Sequence, residues 1–82
     1  MNSQERTDKL RQTLSAVLGV AETDLSDDSS PDSLPSWDSV THLNLVVSLE
    51  EAFGVAFSPE ETMELTSLRL IRLMLDEKLG QA

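Results

Sequence analysis

Apolar residues near the start of the chain recur at helical spacing. Four of them follow the i, i+4, i+7, i+8 pattern of one helix face: Leu10, Leu14, Val17 and Leu18. This spacing is typical of an amphipathic helix whose apolar face packs on a core. We therefore predict a helix over about residues 4–18 that ends near Gly19.

The helical pattern is lost between residues 20 and 36, where Ser, Asp and Pro are most concentrated. Three isolated apolar residues remain in this stretch: Val20, Leu25 and Leu34. The composition predicts a long loop that is attached to the core at those three points. Loops this long inside compact domains are usually functional or mobile.

Helical spacing returns at Asp38 with an unusually wide apolar surface. It comprises one stripe and an adjoining one: Val40, Leu43, Val46, Val47 and Phe53, then Leu45, Leu49 and Ala52. A helix with so broad an apolar surface must contact several neighbours. We predict that it is the central helix of the fold and that it runs to about Phe53, before Gly54.

Two further helices are predicted in the last third of the chain. Ser58-Pro59-Glu60-Glu61 combines an N-cap, a proline at the first helical position and a glutamate three residues after the cap, so a short helix begins there. Thr66 or Ser67 caps a last helix that ends at Gly80. Since no strand-like alternation competes, we predict an all-α four-helix bundle, with three long helices and a short third one, as a single domain over residues 1–82.

Composition narrows the class of protein. With 82 residues and 39% apolar residues, the chain suits one globular domain with a thin core. It has no cysteine, which excludes a disulfide framework, a thiolate metal site and a cysteine nucleophile. The first residues do not form a signal peptide, and no apolar run approaches the ~18 residues of a membrane span, so we expect a cytoplasmic monomer.

Negative charge is concentrated in the middle of the chain. The net charge is −9, yet residues 12–68 contain eleven acids and no Lys or Arg. Residues 1–11 and 69–82 each carry a small positive excess. A bias of this kind favours basic protein partners and argues against nucleic acid or an anionic membrane surface.

The most informative segment is Trp37-Asp38-Ser39-Val40, where the acidic loop meets the predicted central helix. The first turn of a helix presents unpaired N–H groups and the positive end of the helix dipole. A phosphate attached to Ser39 would lie in a favourable field there, and the site projects from the surface.

This segment and the helix after it resemble the acyl carrier protein family. The family signature is an Asp-Ser-Leu tripeptide that opens the second helix, and Asp38-Ser39-Val40 takes that position. Glu50-Glu51-Ala52-Phe53-Gly54 is similar to the paired glutamates and phenylalanine that close the helix in the family, and Ser58-Pro59-Glu60-Glu61 looks like the start of its third helix. The resemblance implies a four-helix bundle that works as a carrier.

In that family the serine is modified and does not catalyse. The resemblance implies that a phosphopantetheinyl transferase uses coenzyme A to attach 4′-phosphopantetheine to Ser39. The thiol of this cofactor then holds acyl groups as thioesters, which would supply the thiol that the sequence lacks. The further partners implied are an acyl-loading ligase and acyl-processing enzymes with basic patches, and the chain itself needs no catalytic residue and no metal.

Several positions depart from the family pattern. Val40 replaces the usual leucine, and Thr41 and Asn44 stand where fatty-acid carriers often have acids, so the acidic patch beside Ser39 is thinner. This favours a specialised pathway over housekeeping fatty-acid synthesis. The residues predicted to contact partners are Trp37, Asp38, Val40, Val47, Glu50 and Glu51.

Three nearby residues have competing interpretations. Ser33 lies in a literal Asp-Ser-Leu tripeptide, but the proline two residues later disfavours a helix start there, and the paired glutamates have the family spacing only from Ser39. Trp37 has a simpler role, which is to pin the loop onto the bundle. His42 is interpreted as a surface residue, because one imidazole without a base, a nucleophile or a ligand set makes no catalytic site.

Two other functions stay open at this point. One is an aminoacyl, peptidyl or hydroxyacyl carrier of the same fold, loaded by a dedicated ligase. The other is an acidic helical interaction module that is never modified, in which the Asp-Ser pair only caps the helix.

Overall fold

A computed structural model of the chain describes residues 3–80, and the regular structure in that range is helical. The four α-helices are α1 at Ser3–Leu18, α2 at Ser39–Phe53, α3 at Pro59–Glu64 and α4 at Leu68–Gly80. A short 3₁₀ turn at Glu22–Asp24 lies in the connection between α1 and α2, where only loop was predicted. The predicted all-α bundle with a short third helix is confirmed.

Local sequence signals account for the helix boundaries. Gly19 and Gly54 follow α1 and α2 with φ of 69° and 65°, a left-handed conformation that glycine adopts without a Cβ clash. Ser58 accepts a hydrogen bond from the Glu61 N–H while the Glu61 carboxylate accepts one from the Ser58 N–H, which completes the capping box of α3. At the start of α4, the Ser67 hydroxyl accepts from the Leu70 N–H.

The core is built from leucine-rich faces of three helices. Its buried apolar residues from α1, α2 and α4 are Leu10, Leu14, Leu18, Leu45, Val46, Leu49, Phe53, Leu68, Ile71 and Leu75. Full burial of one such side chain stabilises a fold by about 1.5–3 kcal/mol. α1 packs against both α2 and α4, so α1 shares the central position that the sequence assigned to α2 alone.

The wide apolar surface of α2 is covered on only one side. Val40, Leu43 and Val47 are 70%, 61% and 52% exposed, whereas the residues of the opposite side are buried. Val40 and Val47, which the sequence predicts to contact partners, lie on the uncovered side, and Leu43 lies there with them. Helical periodicity reports which residues share a face, but it does not report whether a neighbour lies over that face.

The loop between α1 and α2 is attached to the start of α4. The carbonyls of Ser29 and Asp27 accept hydrogen bonds from the N–H groups of Leu68 and Arg69, and Arg72 forms a 2.8 Å salt bridge with Asp27. The three predicted anchors agree with this arrangement, since one is buried and two are packed against the core: Leu25, Val20 and Leu34. The loop thus brings the segment before Ser39 to the surface of the bundle.

Within residues 3–80, no helix combines the length and the apolar character needed to cross a bilayer.

Candidate functional site

Ser39 is the first residue of α2 and is exposed. Asp38 precedes it with an extended backbone, and its carboxylate accepts a 2.8 Å hydrogen bond from the Thr41 N–H. This is the N-cap that the sequence predicts. The Ser39 hydroxyl makes no hydrogen bond with any residue of the range 3–80, so it is available to an external reactant.

The Asp38 carboxylate is held as an anion. The hydrogen bond from the Thr41 N–H is the main cause that lowers the pKa of Asp38 from its usual 3.8, because it stabilises the charged form. Negative charge at the first turn of a helix is also favourable to the helix dipole. The cap therefore fixes the start of the helix without occupying the neighbouring hydroxyl.

An open groove of about 620 Å³ lies directly beside Ser39. Its lining is mainly apolar and comes from the loop, α2, α3 and the segment after α3; it includes Trp37, Ser39, His42, Leu43, Met63 and Leu65. Met63 is 78% exposed at the rim, on the α3 side. A flexible apolar or amphipathic chain attached at Ser39 could pack directly against the apolar lining of this groove.

Trp37 is a core residue with only 2% exposure. Its indole N–H donates to His42 Nδ1 at 2.9 Å, and the two rings stack with centroids 6.2 Å apart. Burial removes the indole from the surface that a partner would touch, so the prediction that Trp37 contacts partners is wrong. The simpler interpretation, in which it pins the loop onto the bundle, agrees with the burial.

The remaining predicted contact residues divide into two groups. Val40, Val47 and Glu51 are exposed on α2, where a partner could reach them. Glu50 is half-buried, and its carboxylate accepts a 2.9 Å hydrogen bond from the Phe57 N–H, which closes the turn between α2 and α3. The sequence interpretation missed this structural use because the two residues lie seven positions apart with no motif between them.

Ser33 lies in a turn outside the helices. Its hydroxyl accepts from the Ser30 N–H and donates to the Ser30 carbonyl, at 3.0 and 3.1 Å. The serines of the three Asp-Ser dipeptides therefore differ. Ser29 is buried and its hydroxyl accepts from the Ser26 N–H, Ser33 is bonded within a turn, and Ser39 is unbonded at a helix start.

Comparison with known protein families decides between a carrier and an unrelated helical bundle. The family model described as "Phosphopantetheine attachment site" matches residues 8–73. The chain belongs to the phosphopantetheine-attachment family. The match includes most of α1, the loop, Asp38-Ser39, the groove and the first part of α4 up to residue 73.

Members of the phosphopantetheine-attachment family hold 4′-phosphopantetheine covalently, and they generally act as carriers and not as catalysts. The residues of this chain fit such a cofactor: a free hydroxyl stands at a helix start and an apolar groove adjoins it. Over residues 3–80, no cluster of three or more His, Asp or Glu side chains is arranged to bind a metal ion.

Proposed function

We propose that this member of the family is an acyl carrier protein whose phosphopantetheine arm is attached to Ser39. The single observation that carries the proposal is the exposed and unbonded Ser39 hydroxyl at the start of α2, inside the matched segment. Two other serines follow an aspartate, and neither has a free hydroxyl: Ser29 is buried and accepts from the Ser26 N–H, and Ser33 is engaged with Ser30.

The residues around Ser39 have distinct roles in this proposal. Asp38 fixes the first turn of α2, so the hydroxyl is presented outward to a transferase. The Ser39 oxygen would form a bond to the phosphorus that carries the pantetheine arm, the pyrophosphate bond of coenzyme A would break with adenosine 3′,5′-bisphosphate as the leaving group, and the hydroxyl proton would pass to a base of the transferase. When bound, the cofactor supplies a terminal thiol for thioester formation, which this chain without cysteine cannot supply.

An exposed apolar stripe on α2 supports a docking role for the helix. Val40, Leu43 and Val47 follow one another along the surface from Ser39 toward Glu51. Acidic residues border the stripe, and no Lys or Arg occurs between residues 12 and 68. We propose that partner enzymes contact it with apolar side chains framed by Lys or Arg, since such a surface complements both features.

The cargo class follows less directly from the site. Thr41 and Asn44 are uncharged, so the surface of α2 near Ser39 is less acidic than Asp38 and Glu51 alone would suggest. This favours dedicated partners in a specialised pathway. Incubation of the arm-bearing protein with candidate ligases separates an acyl cargo from an aminoacyl or hydroxyacyl cargo, because each ligase adds a different mass.

Mass spectrometry tests the attachment site. The full chain is incubated with coenzyme A and a broad-specificity phosphopantetheinyl transferase. We expect one phosphopantetheine on the peptide that contains Ser39, complete loss of the gain in Ser39→Ala, and an unchanged gain in the matched control Ser33→Ala. An unchanged mass would overturn the proposal and favour an unmodified interaction module. Modification at another residue would overturn Ser39 as the attachment site.

A further inference from the structure

His42 connects two segments that border the groove. The Trp37 indole N–H donates to His42 Nδ1 at 2.9 Å, and His42 Nε2 lies 2.9 Å from the carbonyl oxygen of Thr62. Trp37 belongs to the loop just before Ser39, while Thr62 lies in the last turn of α3. One half-buried imidazole thus joins the loop to α3 across the start of α2.

The chemistry of the two partners fixes the protonation of the ring. An indole N–H only donates, so Nδ1 must be without a proton and accept. A backbone carbonyl only accepts, so Nε2 must carry the proton and donate. Both bonds form together only in the neutral Nε2–H form of His42. A second proton on Nδ1 would point at the indole N–H, and the Trp37–His42 hydrogen bond would be lost.

α3 has few other attachments. It is six residues long and buries none of them. Its capping box is internal, so the side-chain links that the described residues give it to other helices are the Lys78–Glu61 salt bridge at 3.0 Å and the contact from His42. A short helix without buried residues is easily displaced, so the loss of one of these two links should increase the movement of α3.

We propose that His42 is a positioning residue, which holds α3 beside Ser39 as a neutral imidazole and lets it move away on protonation. The groove would then be narrow near neutral pH and wider in acid. The proposal rests on the proposed function in one respect: the groove is where an arm on Ser39 would lie. The link between Trp37, His42 and Thr62 does not depend on it.

Few other titratable groups face the groove. Asp38 is the only one besides His42 among the lining residues, and the lowered pKa of its carboxyl keeps it charged across the range in which histidines titrate. The remaining acids of the adjoining loop segment and of α3 are not part of the lining: Asp32, Glu60, Glu61 and Glu64. Among the lining residues, His42 is therefore the group whose protonation would change the groove on acidification.

Trp37 is the only tryptophan, so its fluorescence reports the link directly. An imidazolium quenches a stacked indole more strongly than a neutral imidazole does. In the unmodified full chain we expect the emission to change in one single-proton transition as the chain is acidified. His42→Gln keeps a donor and an acceptor but does not titrate, so the transition should vanish. It should persist in Asp38→Asn.

Nitrogen-detected NMR of the imidazole gives a second test on the unaltered chain. The Nε2–H tautomer is expected above pH 8. An Nδ1–H tautomer, or emission without a transition in the unaltered chain, would overturn the link, whether or not His42→Gln folds.

The rate of arm transfer, followed by mass over the same pH range, tests the positioning role. The ratio of the rates for the unaltered chain and His42→Gln should change about five-fold from pH 8 to pH 5, the factor that one hydrogen bond is worth. Parallel pH profiles would overturn the role of His42 in positioning the groove. Absence of transfer at every pH in both proteins would instead overturn the proposed function, while the fluorescence still decides the link.

Discussion

At the start of α2, Asp38 caps the helix and Ser39 presents a free hydroxyl, two roles that a single residue could not combine. The Asp38 carboxylate is committed to the Thr41 N–H, whereas the Ser39 hydroxyl remains unbonded and exposed. If Ser39 were itself the N-cap, its oxygen would be occupied by a backbone N–H, as the Ser58 oxygen is at α3. The aspartate before it makes a free serine hydroxyl at a helix start compatible with a stable helix.

Asp38→Asn tests this division through pH. The pKa of Asp38 is lowered in the folded chain, so the folded state binds fewer protons than the unfolded state, and the stabilisation is present above about pH 3.8. It is lost as pH falls through the folded pKa. We expect the variant, which keeps a capping oxygen, to melt at a lower temperature than the unaltered chain at pH 7, and the difference to shrink below pH 3.8.

The matched control is Asp32→Asn in the loop. Asp32 is exposed and its side chain has no hydrogen-bond partner within the described range, so its loss should not lower the melting temperature at pH 7. A constant difference between Asp38→Asn and the unaltered chain from pH 7 to pH 2.5 would show that the carboxylate charge has no role in the cap.

The same site shows which residue roles can be predicted from sequence. Asp38 and Ser39 were identifiable because a cap and a helix start are local patterns. The roles of His42 and Glu50 were missed, since their partners Thr62 and Phe57 are brought to them only by the turn from α2 into α3. Burial of Trp37 was one of two interpretations, and only its place in the fold decides between them.

At the scale of the elements, α3 is the helix that depends most on polar contacts. It has no buried residue, and a six-residue helix is too short to be stable without capping or packing. Its start was nevertheless predicted correctly, because the capping box lies within four consecutive residues. The apolar face of α2 was longer and clearer in the sequence, and two of its exposed residues, Val40 and Val47, were predicted to face partners. The exposure of Leu43 was not predicted, since exposure depends on where the other helices pack.

Ser58→Ala should therefore act locally. Loss of an N-cap serine costs about 1 kcal/mol, and in α3 that loss lowers the free energy of local opening, because no residue within the helix is buried. We expect hydrogen exchange of the Glu61 and Thr62 amides to accelerate about five-fold, with little change in melting temperature.

Ser67→Ala provides the matched control for α3. Its hydroxyl bonds the Leu70 N–H at the start of α4, a helix that buries Leu68, Ile71 and Leu75. Removal of this cap should lower the melting temperature without a separate acceleration of exchange in the first turn of α4. Equal local exchange effects in both variants would show that buried side chains do not decide which helix opens alone.

At the scale of the whole molecule, the six basic residues are all committed to contacts within the chain. Four form salt bridges with acids, Lys9 lies over the Phe53 ring, and Arg11 donates to the Glu22 carbonyl. Eight acids of residues 12–68 have no base within salt-bridge distance in the described chain: Glu22, Asp24, Asp32, Asp38, Glu50, Glu51, Glu60 and Glu64. The middle of the chain thus keeps an uncompensated negative charge, at the cost of self-repulsion.

Added salt should relieve that repulsion and raise the melting temperature. The Debye length falls from about 30 Å at 0.01 M to about 8 Å at 0.15 M, which screens distant acids more than paired ones. Exposed salt bridges contribute little, so their weakening should not reverse the effect. A gain of about 4–8 °C would correspond to roughly 1 kcal/mol in a chain of this size.

Glu51→Gln should raise the melting temperature at low salt and reduce its response to NaCl. Glu77→Gln, also exposed near the end of a helix but in the segment without excess acid, should change little. A flat or falling melting temperature, or equal effects of the two variants, would show that the acidic middle does not strain the fold.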